Sequence, residues 1–168
     1  IIRIDKKDFR VLEDNCITPS GVSYMIENRE IMMRMFPELF QSLKIEPVEN
    51  YPEILLETLK SLTPKNCSKE PNIVILTPGP LNSAYYEHSF LADMMGVELV
   101  QGTDLYVDNG ITYMKTTKGK EKVDIIYRRI DDQFIDPITF NKDSCIGVAG
   151  LFDSYKACLL YTSPSPRD

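Results

Sequence analysis

Glu13 and Asn15 stand two residues apart, after the apolar pair Val11-Leu12 and before the turn formers Thr18-Pro19-Ser20-Gly21. Residues two apart along a strand share a face, so Glu13 and Asn15 point together and Asp14 points the other way. A carboxylate oxygen beside an amide oxygen is a hard donor pair that can ligate Mg²⁺, an ion that also bridges to phosphates. Such an ion neutralises charge during phosphoryl transfer. The competing reading is turn chemistry, with Asp14 and Asn15 bonding local backbone.

Three further segments carry polar groups at positions suited to a ligand. Pro19-Ser20-Gly21-Val22-Ser23 feeds a helical pattern, and a helix start offers free N–H groups and positive dipole to an anion. Ser20 or Ser23 fits that role, or that of a simple cap. Arg29, two turns on, can reach an anion or pair with a surface Glu. Thr77-Pro-Gly-Pro-Leu-Asn-Ser-Ala-Tyr-Tyr-Glu-His88 follows an apolar strand, and open α/β sheets bind ligands at the carboxyl ends of their strands. It is not GxGxxG; Glu87 and His88 project differently from a helix, and a buried polar anchor is the alternative. Tyr127-Arg-Arg-Ile-Asp-Asp132 also follows a strand. There Arg128 or Arg129 can grip a carboxylate or phosphate bidentately, or Asp131 and Asp132 can neutralise them in an ion-pair network. His88 alone makes no Ser-His-Asp case, and Cys145 has no visible activator.

The elements that must position these groups are legible in outline. Residues 1–4 and 9–12 flank the polar run DKKD (5–8) and read as a β-hairpin. Ser20 or Ser23 is expected to cap a helix running to about Phe40, with Met25, Ile26, Met32, Met33, Met35 and Phe36 as its apolar face and Pro37 as a kink or restart. Residues 44–48 look extended. Tyr51-Pro52 opens a helix with Ile54, Leu55, Leu56, Leu59 and Leu62 at helical spacing. After a polar loop at 63–71, Asn72-Ile-Val-Ile-Leu-Thr77 has the look of a buried parallel strand. A helix capped by Asn82 or Ser83, ended by Gly96 and followed by a strand at 97–100 completes a β-α-β unit, which suggests a doubly wound piece. Three more short strands are expected at 105–107, 111–114 and 123–127. Asp108-Asn109-Gly110 is a hairpin turn, and 115–122 reads as an exposed charged connector.

The chain has 168 residues, 43% hydrophobic and 26% charged, which is ordinary for a globular domain. Net charge is −6 and no basic stripe exists, which argues against nucleic acid. No apolar run approaches the roughly 18 residues that span a bilayer, so neither a membrane nor a nucleic-acid partner is expected. Residues 158–168 match, residue for residue, one reading frame of a common transposase sequencing adapter, and are expected to be an artefactual tail; the alternative is a Ser/Pro-rich disordered tail. Without them Cys16, Cys67 and Cys145 remain, with no CxxC pair and 1 His, which suggests neither zinc nor a disulfide framework and fits a reducing cytoplasm. Ile1 is not an initiator Met, so an internal fragment is expected.

Taken together, VLEDNCITPSGVSYMIENRE (11–30), LTPGPLNSAYYEHSFLADMMGVELVQGTDL (76–105) and VDIIYRRIDDQFIDP (123–137) resemble the circularly permuted ATP-grasp family, type 2 branch, related to the glutathionylspermidine synthetases. The resemblance implies an α/β chain. Residues 1–62 would be a partial ATP-grasp segment of hairpin and helices, joined to a Rossmann-like, pre-ATP-grasp-type β-α-β subdomain at 72–157. It implies a ligase that uses ATP and Mg²⁺ to activate a carboxylate as an acyl phosphate, which an amine attacks to form a C–N bond. The substrates would be small-molecule or peptide carboxylates and amines. By the same resemblance Glu13 and Asn15 hold magnesium, and Ser20 or Ser23 contacts phosphate. Arg29, Arg128 and Arg129 are assigned to a substrate carboxylate or phosphate as catalytic groups, and Asn82, Glu87, Asp131 and Asp132 to substrate binding. The family pattern includes a further metal-binding Asp near the hairpin start, for which Asp5 is a weak substitute. It also includes an ATP-clasping Lys and glycines beyond Ala157, so the fragment is expected to be inactive by itself. A catalytically silent α/β scaffold and a kinase that stops at a phosphorylated product are the rival readings.

Overall fold

The computed structural model describes residues 1–14, 19–65, 67, 70–157 and, for the backbone alone, 161–162. The DKKD turn joins β1 (Ile2–Arg3) to β2 (Phe9–Arg10), antiparallel with Ile2 opposite Arg10. The hairpin is shorter than the 1–12 expected, and its apolar residues Phe9, Val11 and Leu12 are exposed.

Helix α1 (Val22–Met35) ends just before Pro37, whose ring cannot continue a helix but suits a first turn, and α2 (Pro37–Ser42) restarts there as expected. Two details differ. Neither Ser20 nor Ser23 caps α1; its N-cap is Gly21, left-handed at φ 105°, a conformation costly for a residue with a Cβ. Of the expected apolar face, only Ile26 reaches the core. Only Ser23 and Ile26 of α1 are buried, while Met25, Met32, Met33, Met35 and Phe36 are exposed. The helical stripe is real, but part of it lines an open groove of about 330 Å³ with Leu39, Phe40, Leu43 and Ile45. Residues 44–48 form no strand. Helix α3 (Tyr51–Ser61) opens at Tyr51-Pro52, burying Pro52 and Leu59.

The β-α-β unit is present: β3 (Ile73–Leu76), α4 (Tyr85–Met95) and β4 (Glu98–Val100), with β3 and β4 parallel. Gly96, left-handed at φ 64°, ends α4. The start of α4 departs from expectation. Its N-cap is Ala84 without a side-chain cap, because Asn82 Oδ1 instead accepts the Ala84 N–H at 2.9 Å and closes a local turn one step earlier.

Next, β5 (Leu105–Asp108), β6 (Ile111–Thr116) and β7 (Gly119–Lys122) form an antiparallel meander. Its first turn carries positive φ at Asn109 (51°) and Gly110 (76°), as a tight hairpin requires. The stretch expected as a charged connector is thus a hairpin and an edge strand. Lysines on an edge strand protect it from pairing with other chains, and that composition hides it in a sequence.

The chain then forms β8 (Ile125–Arg128), α5 (Leu151–Lys156) and the two-residue β9 (Tyr161–Thr162). The main sheet has order β4-β3-β8-β9, and every pairing is parallel. Ile73–Leu76 is buried at each position because the sheet is covered on both faces. Ile73, Ile75, Ile125 and Tyr127 pack with Leu59, Leu91, Ala92 and Met95 of α3 and α4. Val74, Leu76 and Ile126 point the other way, to Leu105, Met114, Val148 and Leu151. That second face is covered largely by the meander and the 130–151 segment rather than by crossover helices, which corrects the doubly wound expectation. Among the described residues no helix is long and apolar enough to cross a membrane.

Candidate active site

β3 pairs with β4 on one side and with β8 on the other, so the chain reverses direction of travel across the sheet at β3. The crevice beyond the carboxyl ends of such strands is where open α/β sheets hold ligands. The loops leaving β3 and β8 are pinned side by side there. Thr77 N–H donates to Val100 O (2.9 Å), and Arg129 N–H donates to Leu76 O (2.8 Å). Gly79 sits at φ 107°, a conformation that favours glycine; a Cβ there would also come within 2.7 Å of Gln101 Oε1, a side-chain end free to move aside.

Thr77 Oγ1 accepts the Gly79 N–H at 3.2 Å and lies 2.8 Å from His88 Nδ1. Both residues are buried. Burial first, and then the positive charge of Arg129, push the imidazole down to about 4 against the opposing pull of Glu87, so His88 is neutral at pH 7. Its Nε2 is buried without a partner among the described residues.

Next to it in sequence, Glu87 makes different contacts. Its Oε2 accepts the Gly21 N–H, the Ser23 N–H at 3.3 Å and the Ser23 hydroxyl at 3.1 Å. Its Oε1 receives Arg129 Nη2 at 3.1 Å, with the two side chains 2% and 1% exposed. Arg129 Nη1 donates to the Tyr127 hydroxyl at 3.3 Å. Arg129 Nε is buried without a partner among the described residues. The anion at the start of α1 is therefore the carboxylate of Glu87, and its buried charge is matched by Arg129 and by N–H donors at the positive end of the helix. Beside this group lies a cleft of about 60 Å³ bordered by Ser20, Tyr51, Tyr127 and Arg129. The Tyr51 hydroxyl is pushed up by burial and by Tyr127, with Arg129 opposing and Glu87 adding.

The expected site residues thus divide. Ser20, Ser23, Glu87 and Arg129 come together at the carboxyl end of the sheet. Arg128 lies at the same end, donating to Ile130 O at 2.9 Å and pairing with Asp132. Asp131 and Asn82 are exposed. Arg29 is elsewhere, in the α1–α2 groove, donating to Glu46 O at 2.7 Å with its guanidinium 5.9 Å from the Phe40 ring centre. Glu13 is exposed, and Asn15 lies outside the described residues. No three His, Cys, Asp or Glu side chains gather as a metal cluster among the described residues. Mg²⁺ needs fewer, because it takes one or two carboxylates and completes its shell with phosphate and water. The exposed Glu13 oxygens suit that chemistry.

Thr77, Tyr51 and Tyr127 belong to this group and were not among the expected site residues. Tyr127 within β8 and Arg129 just past its end are two apart, the spacing that puts them on one side. Asp136 was also missed. It is fully buried and accepts from Ile138 N (2.9 Å), Phe152 N (3.0 Å), Gly150 N (3.1 Å) and the Thr139 hydroxyl (3.2 Å). Burial would raise its carboxyl, but the bonds from Phe152, Ile138, Gly150 and Thr139 outweigh it and hold the group below its ordinary value.

Comparison with known proteins adds a family. The sequence model of a family described as "a circularly permuted ATPgrasp" matches residues 1–162. An uncharacterized protein of Synechocystis sp. is 56% identical over 146 residues, covering 87% of this chain and 30% of the relative. An uncharacterized protein of Mycobacterium tuberculosis is 52% identical over 157 residues, covering 94% of this chain and 28% of the relative. A Frankia alni protein named "Putative glutamate--cysteine ligase 2-3" is 39% identical over 122 residues, 73% of this chain and 14% of that protein. The chain thus spans less than a third of the length of these relatives.

Proposed function

The chain belongs to the circularly permuted ATP-grasp family, and from that premise we propose that it forms part of an ATP-dependent carboxylate–amine ligase. Bound Mg²⁺ and ATP would supply an activated phosphoryl group, converting a carboxylate into an acyl phosphate that an amine attacks, releasing phosphate as the C–N bond forms. Glu13 and Asn15 are the residues that would hold the metal, with Ser20 facing the phosphates from the turn that follows. Arg128, at the carboxyl end of β8, and Arg29 are the guanidinium groups assigned to a substrate carboxylate or phosphate, with Asn82, Asp131 and Asp132 on the substrate side. The name carried by the Frankia relative favours amino-acid-like acid and amine substrates. The resemblance of the three long motifs favours the type 2, glutathionylspermidine synthetase-like branch.

The observation that carries the reading is a physical tie. The segment that begins at Glu13 runs into Gly21 and Ser23, and both are bonded to Glu87, which is bonded to Arg129 at the carboxyl end of β8. The chain that follows the proposed metal residues is thereby tied to the ligand end of a parallel sheet, which supports a phosphoryl-transfer site there.

The test uses the full-length protein. ADP and phosphate should appear only when Mg²⁺, ATP, an acid and an amine are all present, and Glu13→Ala with Asn15→Ala should abolish that turnover. ATP consumption without any amine would favour a kinase. Unchanged function in the double variant would favour a scaffold, and absence of Mg²⁺-dependent nucleotide binding would sink the ligase reading.

A further inference from the structure

Glu87 sits where three segments distant in sequence meet. It projects from α4, it receives both N–H groups and the hydroxyl that α1 presents through Gly21 and Ser23, and it neutralises Arg129 beyond β8. Its side chain is 2% exposed and that of Arg129 1%; both border the small cleft beside Tyr51, but the carboxylate oxygens of Glu87 are already taken by protein donors. Ser23 is fully buried with its hydroxyl on Glu87. Both carboxylate oxygens of Glu87 are thus engaged by Gly21, Ser23 and Arg129, while Arg129 Nε has no partner among the described residues.

We propose that Glu87 is a positioning residue. With Arg129 as its fixed counter-charge it latches the N-terminus of α1 to the carboxyl end of the sheet, and so fixes the downstream anchor of the chain proposed to carry the metal. Arg129 and Ser23 then act through Glu87 rather than on a substrate or a phosphate. This rests on the ligase reading for what the segment does, but not for the latch itself. The physical logic is that Gly21 has no side chain and a left-handed backbone; its carbonyl is held locally by the Met25 N–H at 3.1 Å, but its own N–H needs an acceptor from elsewhere. A charged acceptor that takes four bonds, from Gly21 N, Ser23 N, Ser23 Oγ and Arg129 Nη2, gives it one position. The Gln isostere keeps the shape and an acceptor for Ser23 but loses the charge and turns an amide towards Arg129.

The experiment compares the wild-type full-length protein with Glu87→Gln and Arg129→Lys. Amide hydrogen exchange is read at residues 13–23 and at β3 and β8. The latch predicts exchange at Gly21 and Ser23 accelerated about tenfold or more in Glu87→Gln, with β3 and β8 unchanged. In steady-state assays it predicts a Mg²⁺ concentration for half-maximal ADP release raised by a similar factor in Glu87→Gln, and a smaller shift in Arg129→Lys, which keeps the charge. Unchanged exchange at Gly21 and Ser23 overturns the latch. So does a variant that loses kcat and thermal stability while its Mg²⁺ half-saturation stays at the wild-type value. If the wild-type protein consumes no ATP, the ligase reading fails separately, and exchange alone decides the latch.

Discussion

Glu87 and Arg129, 42 residues apart in sequence, meet as an ion pair at 3.1 Å with almost no exposure to water. The attraction between two buried charges is set against the cost of desolvating both, so the pair itself adds little net stability. Removing one member is another matter, because the survivor stays buried and uncompensated. Glu87→Ala should cost about 3–5 kcal/mol in chemical denaturation, and it also strands the Gly21 and Ser23 donors. Replacing both residues together, as Glu87→Met with Arg129→Met, should cost less than the sum of the two single changes. A double-mutant cycle measures the difference.

His88 predicts a pH dependence. Its imidazole ionises at about 4 in the folded chain and at 6.5 when unperturbed. Below the unperturbed value the unfolded chain binds a proton that the folded chain does not, so stability is full above about pH 6.5 and falls as the pH drops through 4. The loss should be of order 2 kcal/mol after allowing for solvent screening. His88→Asn should flatten that slope. Urea denaturation of both proteins at pH 7.5, 6.0 and 4.5 tests it, and parallel curves would count against a neutral buried imidazole.

Asp136 should behave with the opposite chemistry and the same sign. Its lowered carboxyl value means that its contribution is present above the ordinary carboxylate range and lost only as pH falls through the depressed folded value. Asp136→Ala leaves the N–H groups of Ile138, Gly150 and Phe152 without their acceptor. It should destabilise by roughly 2–3 kcal/mol. Loss of protection at Gly150 and Phe152 in hydrogen exchange would place the damage at the start of α5.

Gly147 predicts a steric effect. A Cβ there would meet the carbonyl oxygens of Phe134 and Ile135, the latter at 2.7 Å, and both are backbone atoms that cannot rotate away. Gly147→Ala should cost about 1–3 kcal/mol or more by overpacking, whereas Gly119→Ala, with open space around it, should cost only its backbone strain at φ 126°. Paired thermal melts of the two variants check the ordering.

Much of the local structure was legible from neighbouring residues alone. The apolar run at 73–76, the Gly96 helix stop, the Asn109-Gly110 turn and the Pro37 break each depend on rules that act within a few residues. β7 was not legible, because an edge strand guarded by lysines reads as a loop. The role of Asp136 was hidden for a different reason: its partners reach to Phe152, 16 residues on.

By itself the sequence determined the parallel strands β3, β4 and β8, the helix ends at Pro37 and Gly96, the Asn109-Gly110 hairpin and the motif set whose resemblance pointed to the family that residues 1–162 match, but neither α5 nor β9. Its periodicity also predicted an apolar face on α1, but not whether anything covers it. The tertiary structure decided which polar groups meet. Glu87 finds Gly21 and Ser23 from 66 and 64 residues away, and a serine expected to face a phosphate is turned to a buried glutamate. Spacing rules fix which way a side chain leaves its own helix or strand. What it meets there depends on how distant elements pack, and a buried charge can settle only where that packing supplies its partner.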